Sequence, residues 1–203
     1  PRAERLAASA PHRSDGVVIY DGRCRRLSPK EREELARTRR PAWRVRVPGE
    51  RVVIRDGNCG PYEERLDADC GDFIVRRSDG VFAYQLAVVA DDGDMGVTHV
   101  VRGRDLLPSA PRQVWLHREL GYRPPDFFHT PLLLAPDGRR LAKRDHDLDL
   151  SVLRQRYRPE ELTGILAWWA GLLDRPEPVS PAELVEGFSW AKVPREDITA
   201  VLP

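Results

Sequence analysis

Cysteine is scarce in this 203-residue chain: Cys24, Cys59 and Cys70 are the only three. An odd, widely spaced set makes no disulfide framework, so free thiols in a reducing compartment, the cytoplasm, are expected. Long apolar runs are missing too. No stretch reaches the roughly 18 residues of a membrane span, which excludes a membrane partner of that kind. Residues 1–15 are polar and arginine-rich without an apolar block, so they do not read as a secretory signal. HExxH, a Walker loop and a Ser-His-Asp pattern are all absent, which removes zinc-protease, P-loop and serine-hydrolase chemistry. There are no repeats and no low-complexity tracts. An initiating Met is lacking as well. The chain opens at Pro1, so removal of its beginning by processing or truncation is expected.

Enough apolar residues remain, 41% of the chain, to build a core, and 32% charge suits a solvated surface. The length fits one large domain, or one with an appendage. A net charge of +1 hides a local bias. Residues 23–46 hold nine arginines and Lys30, opposed only by Glu31, Glu33 and Glu34. Such a stripe can meet phosphates while the chain stays near neutral. It also reads as a solvated helix face with i,i+4 pairs.

Ser28-Pro29-Lys30-Glu31 is a helix start: Ser28 caps, Pro29 suits the first helical position and Glu31 closes a capping box. The helix is predicted to stop before Pro41. Trp43, Val45 and Val47 alternate with arginines as in a half-exposed strand, and Arg51–Arg55 and Asp72–Arg77 read as two more. Residues 15–80 thus read as a small, mostly antiparallel sheet with one helix. The pattern changes at Val81. Tyr84–Ala90 is expected to be a buried helix, Thr98–Arg102 an inner parallel strand, Ala110–Leu120 a helix capped at Gly121, and His129–Leu134 the next strand. Strand, helix, strand is a parallel crossover, whose ligands gather at the carboxyl ends of strands. Residues 151–203 read as helical, with Pro159–Leu173 the main helix and Ser180-Pro181-Ala182-Glu183 starting another.

Arg102 is the sharpest candidate. Its planar fork suits a carboxylate or phosphate, and it ends a run too apolar for a surface loop. Internal pairing with Asp91, Asp92 or Asp105 is the other reading. Lys143 lies in the Gly138–Arg144 basic turn, where a cation can meet a polyphosphate; an ordinary basic turn has the same letters. The Tyr84 hydroxyl can reach a polar ligand or be satisfied by backbone. Tyr20 and Cys24 make half of a possible metal clip, since zinc takes four ligands. His99 and His129 read as structural, and Cys59 and Cys70 as free thiols.

The run FAYQLAVVADDGDMGVTHVVRG, then FFHTPLLL, then GRRLAKRD resembles the glutamyl-tRNA synthetase family, and more closely its shortened branch, the glutamyl-Q tRNA(Asp) synthetases. The resemblance covers nearly the whole chain but only the C-terminal part of a complete enzyme. It implies an α/β fold: the later part of a class I synthetase Rossmann-like catalytic domain, with a small inserted α+β region and a C-terminal helical unit. Residues 1–80 would be the inserted zinc-binding, acceptor-type region, 81–150 the second half of the catalytic domain with its KMSKS-like loop, and 151–203 a helical, stem-contacting unit. Tyr84 and Arg102 fall where the family binds glutamate. Lys143 falls at the ATP-contacting and catalytic position of the signature loop, where Ala142 replaces a frequent Ser. Tyr20 and Cys24 fall on zinc ligands whose CxC companions would precede residue 1.

The implied reaction is attack of glutamate on the α-phosphate of Mg²⁺-ATP, then transfer of the glutamyl group to queuosine in the anticodon of tRNA(Asp). The implied cofactors are one Zn²⁺ per chain and Mg²⁺ with ATP; the implied state is a monomer. The HIGH-type motif is not among the 203 residues, so the chain alone is expected to be inactive. The rival readings are a glutamyl-tRNA synthetase fragment charging tRNA(Glu), a non-catalytic tRNA-binding paralogue, and a nucleotide-binding sheet of other chemistry.

Overall fold

The computed structural model describes residues 19–141 and 150–203. Lys143 lies outside the described residues. The chain divides into two compact units: one built from the residues up to Asp56, Gly60–Val100 and Asp105–Phe127, the other from Gly57–Cys59, Val101–Arg104 and Phe128–Pro203.

The first unit begins with helix α1 (Pro29–Thr38). Its capping box forms as expected: Glu31 N–H donates to Ser28 Oγ at 3.3 Å, and the Glu31 carboxylate accepts from Ser28 N–H at 2.7 Å. No residue of α1 is buried. Strand β1 (Trp43–Arg44) is shorter than the alternation predicts. A register shift follows Trp43, and further on the Asp72 carboxylate, not a strand, takes the Val47 N–H at 3.1 Å. Strands β2 (Arg51–Asp56) and β3 (Gly60–Arg65) pair antiparallel, and β2 buries Val52, Ile54 and Asp56 alternately. A one-turn helix α2 (Leu66–Asp69) follows, then β4 (Ile74–Arg76), which pairs antiparallel with β1. The expected single sheet is therefore two two-stranded ones.

Helix α3 (Tyr84–Asp94) runs past Ala90 through the acidic residues that follow it. Helix α4 (Ala110–Glu119) is buried from Ala110 to His117. Val89 of α3 and Val114, Trp115 and Leu116 of α4 join Val52, Ile54, Leu66, Phe73 and Phe127 in one core. There Phe73 and Trp115 meet edge to face at 6.3 Å and 84°.

Strands β5 (His99–Gly103) and β6 (Asp126–Thr130) flank α4 in sequence and pair with each other. Asp126 N–H donates to Thr98 O at 2.9 Å, and Thr130 Oγ1 donates to Arg102 O at 3.3 Å. Both partners advance by four residues in the same sense, so the strands are parallel and the predicted crossover is present.

In the second unit the predicted strand His129–Leu134 is broken. Pro131 has no N–H to continue a ladder, and the chain resumes as β7 (Leu133–Leu134), parallel to β8 (Ile198–Thr199). Helices α5 (Leu150–Arg156), α6 (Pro159–Trp169) and α7 (Pro181–Gly187) complete it. Ile165, Trp169 and Ala200 form the core here, with Leu133, Tyr157 and Ile198 packed against them. Helix α6 stops short of Leu173 because Gly171 turns left-handed, at φ 72°. Among the described residues no helix is long and apolar enough to cross a membrane.

Candidate functional site

Arg102 occupies the next-to-last position of β5, at its carboxyl end, and is half-buried. Its Nε donates to Nε2 of His129 at 3.0 Å. Arginine only donates, so this ring nitrogen must accept and the imidazole carries its proton on Nδ1. His129 is fully buried. Its carbonyl oxygen accepts from Asn58 Nδ2 at 3.0 Å and from Cys59 Sγ at 3.5 Å, and the Asn58 amide also donates to Pro194 O at 3.2 Å. The guanidinium therefore rests on a buried ring held by the β2–β3 turn, a support that single-chain reading did not reveal. His129 is buried, and what it supports is the leading candidate itself.

Tyr84, in the first unit, is the first residue of α3 and is half-buried. The helix that carries it is fixed by a buried amide chain. Gln113 Nε2 donates to Gln85 Oε1 at 2.8 Å, and Gln85 Nε2 donates to Ser109 Oγ at 3.0 Å. Replacing such a chain would strand buried polar groups, so it sets the start of α3 with some rigidity.

The basic turn is a hairpin. Ala135 N–H donates to Arg139 O and Gly138 N–H donates to Ala135 O, both at 2.8 Å, with Gly138 at φ 80°. Asp137 pairs with Arg139 at 3.0 Å, and its carboxyl is lowered by the Arg139 backbone N–H first and by that guanidinium next. A depression of 380 Å³ lies beside the hairpin, lined by Ala135, Leu141, Ala200 and Leu202 among others. The hairpin leads toward Lys143, whose expected role falls beyond the described residues.

Tyr20 and Cys24 are brought together: the Cys24 N–H donates to the Tyr20 hydroxyl at 2.8 Å. Burial first, then the Cys24 thiol, raises the phenol above its ordinary value. Among the described residues no group of three or more metal-ligating side chains exists. Tyr20 and Cys24 thus fit two corners of a tetrahedral zinc site and no more. Around them, Arg25 makes a bidentate pair with buried Asp72, and the Arg44 guanidinium lies 4.2 Å from the Tyr20 ring centre while donating to Asp72 O at 2.8 Å.

The arginine stripe is exposed outside Arg44, and one i,i+4 pair, Arg37 with Glu33 at 2.8 Å, matches the solvated-helix reading. Next to it stands a row the sequence did not announce. Trp43 lies opposite Arg76, and Arg76 lies opposite Phe82. Directly paired residues share a face, and the Arg76 guanidinium sits 5.5 Å from the Phe82 ring centre. Trp43 and Phe82 are 61% and 58% exposed, which makes the row a surface feature and not core.

Comparison with known proteins places this geometry. Residues 2–167 match the family model of the class I tRNA synthetases (E and Q), catalytic domain. The chain is 50% identical over 202 residues to a glutamyl-Q tRNA(Asp) synthetase of Symbiobacterium thermophilum, covering 97% of this chain and 62% of that protein. It is 46% identical to the protein of that name from Nitratidesulfovibrio vulgaris, covering 94% and 59%. It therefore spans about three fifths of these relatives. Among solved structures, a glutamate tRNA ligase of Elizabethkingia meningosepticum, in complex with its amino acid, aligns at TM-score 0.73 with 26% identity, over 91% of this chain and 42% of that one. The glutamate-tRNA synthetase of Elizabethkingia anophelis aligns at 0.75, over 92% and 43%. The resemblance read from the sequence and the α/β synthetase fold are borne out.

Proposed function

The chain belongs to the class I tRNA synthetases of the E and Q type, and from that premise we propose that it belongs to an enzyme that activates glutamate with ATP and transfers the glutamyl group to queuosine in the anticodon of tRNA(Asp). The observation that carries this is Arg102, a half-buried guanidinium at the carboxyl end of a parallel strand, anchored on a buried histidine. The higher identity to relatives bearing the glutamyl-Q name than to the solved glutamate ligases favours queuosine over a tRNA(Glu) 3′ end as acceptor.

Activation brings two anions together, so the protein's task is to hold both and to offset the charge that develops. A carboxylate oxygen of glutamate bonds to the α-phosphorus of ATP, pyrophosphate departs, and a glutamyl-adenylate results. A hydroxyl of the queuosine base then bonds to the acyl carbon and AMP leaves. Arg102 holds a glutamate carboxylate through its N–H fork, and Tyr84 contributes a hydroxyl. Lys143 meets the phosphates of ATP, which enters with Mg²⁺. Zn²⁺, when bound, supplies a rigid cross-link; Tyr20 and Cys24 would hold it with two further donors. The exposed arginines of residues 23–46 and the Trp43–Arg76–Phe82 row supply the phosphate and base contacts an RNA partner needs.

The test is a side-chain ¹H–¹⁵N NMR titration of the chain with L-glutamate, which detects weak binding. Glutamate is expected to shift the Arg102 Nε–H signal, and Arg102→Gln to reduce binding by about tenfold or more, as loss of a charge-assisted pair implies. Undiminished binding by Arg102→Gln would refute the assignment.

A further inference from the structure

We propose that His129 is the positioning residue for the carboxylate-binding arginine, acting as a neutral imidazole acceptor that sets the plane of the Arg102 guanidinium. The proposal rests on the reading of Arg102 as the holder of a substrate carboxylate. A guanidinium can grip a carboxylate side-on, through Nε and one Nη, or end-on, through Nη1 and Nη2. Here Nε donates to His129 Nε2 at 3.0 Å. The Nε–H is thereby engaged by protein, which takes the side-on grip away from a substrate carboxylate. The bond also fixes rotation about the end of a long, rotamer-rich side chain before substrate arrives, so less ordering remains to be done on binding.

The support has depth. His129 is 0% exposed and Asn58 3%, so neither ring nor amide is free to wander. Asn58 Nδ2 bridges the carbonyls of His129 and Pro194, which ties the strand carrying the ring to the chain just ahead of β8. Thr130, the next residue, donates its hydroxyl to the Arg102 carbonyl at 3.3 Å. Adjacent residues of β6 thus hold both ends of Arg102, its side chain through His129 and its backbone through Thr130. An imidazolium could not do this, because two N–H donors would face each other.

Three measurements decide it. In the wild-type chain, long-range ¹H–¹⁵N correlation of the imidazole is expected to show the proton on Nδ1 and an accepting Nε2; a proton on Nε2 overturns the hydrogen bond. His129→Leu removes the acceptor at similar volume and is expected to weaken L-glutamate binding by about tenfold or more. His129→Gln restores an acceptor near Nε2 and is expected to bind within about threefold of wild type, by the same bond energetics. A merely structural histidine would lower the melting temperature of both variants without that split. Wild-type affinity in His129→Leu, with binding lost in Arg102→Gln, overturns the positioning role and leaves Arg102 in place. Undiminished binding by Arg102→Gln, or no binding by the wild type, overturns the carboxylate reading, while the tautomer still reports whether the bond exists. Should both histidine variants fail to fold, the wild-type tautomer remains decisive.

Discussion

Burial decides what individual thiols do. Cys24 is exposed, while Cys70 is 6% exposed and its Sγ donates to Leu66 O at 3.2 Å. Desolvation pushes the Cys70 thiol up to about 11, although the Arg112 charge pulls the other way. At pH 8, iodoacetamide is expected to modify Cys24 in the native protein and to reach Cys70 only through unfolding; equal labelling of the two would contradict the burial. The same shift has a sign for stability. The folded value lies above the unfolded one, near 9, so the proton stays on in the fold. The associated stability is whole below pH 9 and is lost as pH rises from 9 to about 11, on the order of 2–3 kcal/mol. Urea melts of wild type and Cys70→Ala at pH 8 and 11 isolate it: the variant's alkaline fall is expected to be shallower. Glu64 shows the opposing balance, raised first by burial and drawn down by Arg112 3.8 Å away and by the Tyr62 hydroxyl.

Among the elements, helix starts were the most legible, because a capping box is a local bargain between four residues. Ser28 with Glu31 and Ser180 with Glu183 are both where the letters put them. Helix α1 buries nothing, so its stability rests on that cap and on helix propensity rather than on packing. Ser28→Ala is therefore expected to cost about 1 kcal/mol within α1. Amide exchange there would quicken roughly fivefold, with the melting temperature of the molecule unchanged; a clear fall in that temperature would mean α1 is packed after all. What could not be read locally depended on partners far along the chain. Strand β3 escapes local reading because its buried position is Glu64, held there by the Tyr62 hydroxyl at 3.0 Å and by Arg112 on α4. Residues 129–134 read locally as one strand through Pro131, and the break shows only once β8 pairs with β7. Gly164 reads as an ordinary helix interior, yet a Cβ there would collide with the carbonyl oxygen of Glu177. The candidate site divides the same way. Arg102 and the Tyr20–Cys24 pair were visible as residue types in pattern. The roles of His129 and Asn58 were not, since the contacts span 27 and 71 positions.

At the scale of the whole molecule, a formal charge of +1 predicts little affinity for a polyanion. That inference fails where charges are sorted, because a phosphate meets the local field within about 8–10 Å and not the chain's average. The exposed Arg39, Arg40 and Arg46 lie within four residues of Trp43 in the chain, and the acids of the stripe lie back in α1. On the proposed function this face meets RNA, and two signatures follow together. Binding of a tRNA anticodon stem-loop is expected to weaken steeply with salt, with a log–log slope of about −3 to −5 if that many phosphates are engaged. Reversing Arg39, Arg40 and Arg46 to Glu is expected to lessen that slope by roughly 3 and to weaken binding accordingly. Trp43→Ala, which removes a stacking surface but no charge, is expected to lower affinity by about 1–3 kcal/mol while leaving the slope alone. A slope near zero, or a triple reversal that binds as wild type, would show that the arginines serve only to solvate the surface and that the RNA contact lies elsewhere on the protein.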